Sequence, residues 1–578
     1  MKHKKWRKGN GTILSISLIL LLSLLTAGCA SEESAKTPTT KPTLSTDGST
    51  TLSATYDISK TLSLTFTSSD AWTIDASDDE MSVSPNSGKA GTNTVSIQLQ
   101  NYNCTNVNYD YFLTVKSENS IGSTSMKITV SQAPVFVLKD TYFEADPEGD
   151  NIEVKFNTDG NVKSGFWIYY SQGDAEEMLA KEESSRADDY KYTGTIPITK
   201  NTEQRQRNGY FAFGLDQNAE QLSTTFQITQ LPSSIECSTD TVTNDGVVQT
   251  LQQHTTGKGI PLIIMGDGFI DREVADGTYD DACRQAFEYF FSINPMTKLK
   301  EYFDVYEVTA VSYNNVFSSS TRTAFSSVFT GGSSTEVKGN NDKVIEYAEK
   351  AIAQSRINDA TVLVILNDTR HAGTCVLYTS PTKSEIPSGL SLAFIPMTEY
   401  SEATQSGFEQ ILHHEAVGHG FAKLADEYNN EENGTIPEDT QKELEDEWNY
   451  GFARNLSTTS DVTKTFWADL AADEHYTSEK LGCYEGGFTY AKGVWRATDE
   501  NIMRENIGGF NAQQRRLIYN RCMKIANGTS WKPDYDAFVA FDQPASSSSA
   551  KNGLSKQPSK RPTMHLRPTP PRIVKATR

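Results

Sequence analysis

Phe408-Glu409-Gln410-Ile411-Leu412-His413-His414-Glu415-Ala416-Val417-Gly418-His419-Gly420-Phe421-Ala422-Lys423-Leu424-Ala425-Asp426-Glu427-Tyr428 is the stretch on which the reading of this chain turns. Phe408, Ile411, Leu412, Ala416 and Val417 recur at helical spacing, so the segment predicts a helix with a buried stripe. A lone buried histidine is ordinarily a hydrogen-bonded core residue. His413, His414 and His419 gathered around Glu415 instead form a pattern suited to a metal. Imidazole nitrogens bind zinc well, and a carboxylate beside them can take a proton from zinc-bound water, whose pKa falls to about 7.

Two histidines four residues apart face one ion on a regular helix. His414 and His419 are five apart, a step that rotates about 140° rather than about 40°. A one-residue π-type bulge restores the alignment, and Gly418 can help to accommodate it. The competing geometry keeps a regular helix with Glu415 and His419 as ligands and leaves no obvious base. The bulge is preferred because it keeps His414 and His419 as metal ligands and Glu415 as the catalytic base. Catalytic zinc usually takes three protein ligands and an open position. Asp426 is the expected third ligand. On a continued helix it would lie about 10 Å along the axis from His419, so the chain must turn, from Gly420 onward. Glu427 and the distant Glu485 stay open as alternatives, as does a supporting role for these acids behind the histidines.

His414-Glu415-Ala416-Val417-Gly418-His419 followed by Leu424-Ala425-Asp426-Glu427-Tyr428 resembles the active-site helix of the IgA peptidase family, peptidase family M64. Many members have the four-residue histidine spacing. The inserted residue here is similar to the HExxGH motif of dipeptidyl peptidase III. The resemblance spans most of 255–525 and includes Ile263 to Phe269, Tyr484 to Gly487, Gly493 to Arg496 and Asn501 to Arg504. It implies an α/β zincin domain of metzincin-like type, zinc as cofactor, peptide hydrolysis as the reaction, and Met503 as a hydrophobic floor below the metal. Immunoglobulin A does not follow as the substrate. Glu415 would pass the water's proton to the leaving amine. The run Leu390 to Ile395 reads equally as an edge strand receiving an extended substrate and as an internal strand. Tyr490 is a candidate donor to the oxyanion, a structural tyrosine being the commoner case.

Outward from this segment, 578 residues exceed a single core. A net charge of −21 argues against nucleic acid as a partner. Lys2, Lys4, Lys5, Arg7 and Lys8 precede the apolar run Ile13 to Leu25 and Thr26-Ala27-Gly28-Cys29, the pattern of an export signal. The run is short of the roughly 20 residues of a membrane-spanning helix. It resembles a bacterial lipobox, and Glu32 and Glu33 resemble the export signal of Bacteroidetes surface lipoproteins. Residues 1–29 are therefore expected to be a lipoprotein signal peptide, with the exported chain held to the outer membrane, at the cell surface, through lipid on Cys29. Residues 30–49, poor in apolar side chains, are expected to be a flexible tether.

Alternating runs and turn clusters predict two β-sandwich modules, at 50–134 and 135–232. Their endings, Ile128-Thr129-Val130-Ser131-Gln132-Ala133-Pro134 and Ile228-Thr229-Gln230-Leu231-Pro232, match as repeats do. With Trp72, the Ser84 to Gly88 turn, Ala90-Gly91 and Gln132, the first resembles a BACON domain; the second resembles it less closely. That implies glycan or mucin contact, although a lone tryptophan is more often core, and a spacer role is favoured. A polar linker is expected at 233–258. Buried strands at Ile260 to Met265 and Thr361 to Leu366, with helices at Asp280 to Phe291 and Asp342 to Ala353, predict the α/β metallopeptidase domain at 259–542. Residues 543–578 carry only basic charges and predict a disordered tail. Six cysteines after Cys29 lack any CxxC pair, and disulfides and buried thiols are equal readings. The function expected is a surface-anchored zinc metalloendopeptidase acting on extracellular proteins or glycoproteins. The alternative is a glycan- or mucin-binding lipoprotein with an inactive metal-binding domain.

Overall fold

A computed structural model describes residues 40–575 except 47, 77–80, 159–165, 171–174, 179–180, 183–189, 204, 216–221, 333, 381, 401–405, 431–432 and 544–568. The expected signal and Cys29 fall outside the described residues. Alternation builds the first unit: Leu64, Phe66, Val95 and Ile97 are buried, with the intervening positions turned outward. A four-stranded sheet carrying these residues faces a five-stranded one built on Tyr109–Asn119 and Gly122–Gln132. Leu44–Ser45 pairs with Leu62–Ser68, so the stretch expected to be tether already enters the sheet. Trp72 is 2% exposed, in edge-to-face contact with Phe66, and donates its indole N–H to Lys89 O at 3.1 Å.

The second unit repeats the plan around Phe136, Phe156, Phe213 and Phe226. In each unit the last strand pairs in parallel with an early one, Thr51–Ala54 with Gly122–Gln132 and Tyr142–Ala145 with Phe226–Gln230.

The chain then becomes mixed α/β. Its sheet contains β1 (Val248–Gln252), β2 (Ile260–Asp267), β3 (Phe303–Val308), β4 (Thr361–Leu366), β5 (Thr374–Tyr378), β6 (Ser391–Pro396) and β7 (Arg572–Val574), in the order β1-β3-β2-β4-β6-β5-β7. β3, β2, β4 and β6 run parallel, and β5 runs antiparallel to β6. β2, β4 and β6 are buried at every residue, as strands covered on both faces should be. One face holds helix α1 (Thr278–Phe290) and the segment from Phe408; the other holds Asn341–Ala351.

Two expectations are corrected by this sheet and one open reading is decided. The stretch read as a linker supplies β1, whose Val248, Gln249 and Thr250 are exposed as on an edge, so polarity there reflects position and not lack of structure. Leu390 to Ile395 is internal, between β4 and β5. The basic tail, read as disordered, contributes β7. No disulfide forms among the described residues, and Cys283, Cys375 and Cys522 are buried.

Candidate metal centre

A short helix, Phe408–Leu412, passes directly into a π-helix, His413–Phe421. The wider turn is the one that the five-residue histidine spacing predicts: Ala422 N donates to Val417 O at 2.9 Å, a five-residue step, which puts residues five apart on one face. The segment lies across β4, β5 and β6, and Ser391 Oγ donates to Gly420 O at 2.8 Å. Gly418 lies within the π-helix and also makes room beneath it. A Cβ there would lie 2.3 Å from Met503 Sδ, so glycine makes room for the buried methionine beneath the helix.

The chain turns later than expected. Lys423, at φ 57°, ends the helix, and Leu424 N donates to Gly418 O at 3.1 Å. Asn455 fixes the returning strand by pairing with both Ala425 N and Ala425 O, at 2.9 and 2.8 Å. Asp426 is thereby carried back over the helix.

There Asp426 Oδ1 lies 3.0 Å from His414 Nε2 and 3.2 Å from His419 Nε2. The two rings stand edge to face, 4.7 Å apart. His414 Nδ1 contacts Ile502 O at 2.9 Å, and His419 Nδ1 contacts Leu424 O at 2.8 Å. A carbonyl only accepts, so each Nδ1 carries a proton, and each Nε2 is the ring atom turned toward Asp426. Such backbone partners are what orients a ligating imidazole. Among the described residues these three form the group able to hold a metal, their donor atoms all within 4.8 Å.

The electrostatics fit a cation. Asp426 Oδ2 and Glu415 Oε2 are buried without a hydrogen-bond partner, an arrangement that costs free energy unless an ion or substrate uses it. Burial raises Asp426, but His419 and His414 outweigh it and hold the carboxyl down at about 2. Burial pushes Glu415 up to about 8; His414 opposes this and Asp426 adds to it. Tyr428 stands beside Asp426 and Glu415, its phenol raised chiefly by burial.

The same region has a sequence counterpart: residues 249–476 match the family model described as IgA Peptidase M64. This part of the chain is a peptidase M64 domain. The family is one of peptidases, generally metallopeptidases, and the cluster of His414, His419 and Asp426 lies within the matched span. No curated protein matches the chain. Among solved structures, an endo-fucoidan hydrolase of glycoside hydrolase family 107 aligns at 13% identity and TM-score 0.15, over 33% of this chain and 28% of that one. A Bacteroides ovatus GH5 xyloglucanase aligns at 19% identity and TM-score 0.14, over 18% and 22%. The YadV chaperone aligns at 8% identity and TM-score 0.15, over 30% and 92%.

The other candidate acids lie elsewhere. Glu427 accepts from Asn455, Gln514 and Asn501 at 2.9, 2.8 and 2.6 Å, a closed amide network. Glu485 is exposed on its strand and accepts from Gly493 N at 3.1 Å. His413 turns away to Tyr289 O at 2.7 Å and Ser292 Oγ at 2.9 Å, tying the helix to α1 and its following turn. Tyr490 lines a cavity that also contains Asp426. Sequence reasoning missed Tyr428, although it belongs to the quoted motif, and missed strand β5, whose run Thr374 to Tyr378 is β-rich enough to have been noticed.

Proposed function

We propose that the chain is an exported zinc metalloendopeptidase in which His414, His419 and Asp426 hold the metal and Glu415 is the general base. One observation supports this most: the π-helix aims two Nε2 atoms at Asp426 while the neighbouring Glu415 Oε2 stays buried and unpartnered. Two imidazoles and a carboxylate suit zinc with a position left open. When bound, the ion supplies Lewis-acid polarisation and lowers the pKa of a water to about 7. Glu415 accepts a proton from the water as its oxygen bonds to the scissile carbonyl carbon. It returns that proton to the amine nitrogen as the C–N bond breaks. A carboxyl shifted toward neutrality by burial suits both halves of this exchange.

A ligand-bearing helix across a mostly parallel sheet, beside an antiparallel strand whose far side meets only the three-residue β7, is the arrangement on which we assign the domain to the zincin class. The lipobox-like Cys29 supports an outer-membrane anchor and hence extracellular proteins or glycoproteins as substrates. Trp72 is buried in a core, which favours the sandwiches as spacers over glycan platforms.

Metal analysis and cleavage of a peptide library test the reading. The wild type and Glu415→Gln should each bind about one zinc, with cleavage by the variant reduced about 10²- to 10⁴-fold. A wild type that binds no zinc, or binds it and cuts nothing, would refute the assignment.

A further inference from the structure

We propose that the C-terminal segment Thr569 to Lys575 occupies the groove in which an extended peptide substrate would lie, and so acts as an internal inhibitor of the same site. This rests on the peptidase reading above. β5 pairs with β6 on one side. Its other side carries main-chain donors and acceptors, the usual template for adding an extended chain. The start of β5 abuts the base: a Cβ on Gly373 would lie 2.9 Å from Glu415 Cγ. A chain laid along this edge therefore passes the reacting groups.

The occupant of that edge is the chain's own tail. β7 pairs with β5 in parallel, Val376 with Arg572, Leu377 with Ile573 and Tyr378 with Val574, and Thr379 N donates to Val574 O at 3.1 Å. Toward Glu415 the tail continues to Thr569, whose N–H donates to Thr335 Oγ1 at 3.1 Å, while Gly373 N donates to Thr335 O at the same distance. A cavity of about 300 Å³ is bounded jointly by Asp426, Lys423, Phe488 and Tyr490 and by Pro571 and Ile573 of the tail. The metal ligand and the tail thus share one space.

The composition suits a resident occupant that escapes cleavage and can be displaced. Pro570 and Pro571 lack N–H groups, so this part of the segment offers β5 acceptors only. The pairing is confined to three residues, short enough to compete with a substrate but favoured by attachment, since a tethered segment acts at millimolar effective concentration. Charge favours the placement: Arg572 lies near enough to Glu336, and Lys575 to Asp446 and Glu447, for each base to lower the acid's carboxyl. This gives the basic tail of an acidic chain a role.

The test compares the full chain, a chain ending at Ser549, and the full-length variant Ile573→Asp. With an internally quenched peptide library, both altered chains should gain at least about fivefold in kcat/KM, through a lower KM. A synthetic peptide with the sequence of 569–575 should inhibit the shortened chain competitively. Unchanged or reduced kcat/KM in both would make β7 a structural strand and overturn the proposal. If no form cuts any peptide, the peptidase reading fails, and the tail is decided by binding alone. A fluorescent 569–575 peptide that binds the shortened chain and not the full chain supports the groove; binding to neither, or equally to both, overturns it.

Discussion

The closing glutamines of the two N-terminal β units and the acids of the metal centre treat buried polarity in opposite ways. In the first two units the closing glutamines are spent on structure. Gln132 donates to Asn101 O at 3.0 Å and accepts from Tyr111 Oη at 3.2 Å; Gln230 donates to Asp146 O at 2.7 Å and Thr199 O at 3.0 Å and accepts from Arg207. In the metal centre, Glu415 Oε2 and Asp426 Oδ2 are just as enclosed and bond to nothing. Since buried polar atoms are nearly always paired, two such acids side by side next to two histidines fit groups kept for a ligand, whereas the glutamines hold a fold.

Asp426 and Glu427 carry the same contrast in adjacent residues, and exchanging their charges is the strongest way to break it. Asp426→Asn should weaken metal binding by more than the roughly 10- to 100-fold typical of outer partners. Glu427→Gln should retain the metal but lose about 1–3 kcal/mol of stability, because an amide then faces three amide donors. Metal titration and thermal melts of the two variants read both effects. Release of the metal by Glu427→Gln, with Asp426→Asn retaining it, would reverse the assignment.

Trp72→Ala should cost the first sandwich about 3–5 kcal/mol and leave kcat on a short peptide unchanged. A fall in kcat at temperatures where the remainder of the chain is folded would mean that the module does more than carry the domain.

How far the sequence reaches is instructive at three places. The π-helix is legible because a five-residue spacing of His414 and His419 cannot serve one ion otherwise. The turn is not: Gly420 looks like the breaking point, yet Lys423 takes the left-handed conformation, with Leu424 bonded back to Gly418 and Ala425 held by Asn455 from a distant loop. Sheet position is also hidden. β1 reads as a linker because an edge strand needs no apolar alternation, while β5 and β6 are both apolar runs whose order follows from long-range pairing. β7 is the extreme case, a strand made by the edge it meets.

Gly418→Ala sharpens the metal side of the comparison at smaller scale. The added methyl would fall 2.3 Å from Met503 Sδ, and such overpacking costs about 1–3 kcal/mol. Combining it with Met503→Ala should cost less than the sum of the two, since each change makes room for the other. Additive losses would mean that the glycine is needed for its backbone, not for space.

The smallest effect expected lies in the sheet itself, where Glu307 tests whether an unpaired buried acid can be a mere burden. Its Oε2 has no partner, and burial first, then Asp280, push its carboxyl up to about 8 despite the opposing Arg284. Below the ordinary value near 4.5 both folded and unfolded chains hold the proton, and the group is neutral to stability. Between about 4.5 and 8 the unfolded chain releases it while the folded chain keeps it, so stability falls as pH rises and levels off above 8. Glu447, likewise raised to about 8 chiefly by burial, adds to the slope in the same direction. Glu307→Gln should therefore raise Tm more at pH 8 than at pH 5 and flatten part of the wild-type decline, with no change in bound metal. An equal gain at both pH values would assign the effect to packing. A loss of metal would mean that the unpaired acid of the sheet communicates with the centre, and that orphaned carboxylates in this domain are functional beyond Glu415 and Asp426.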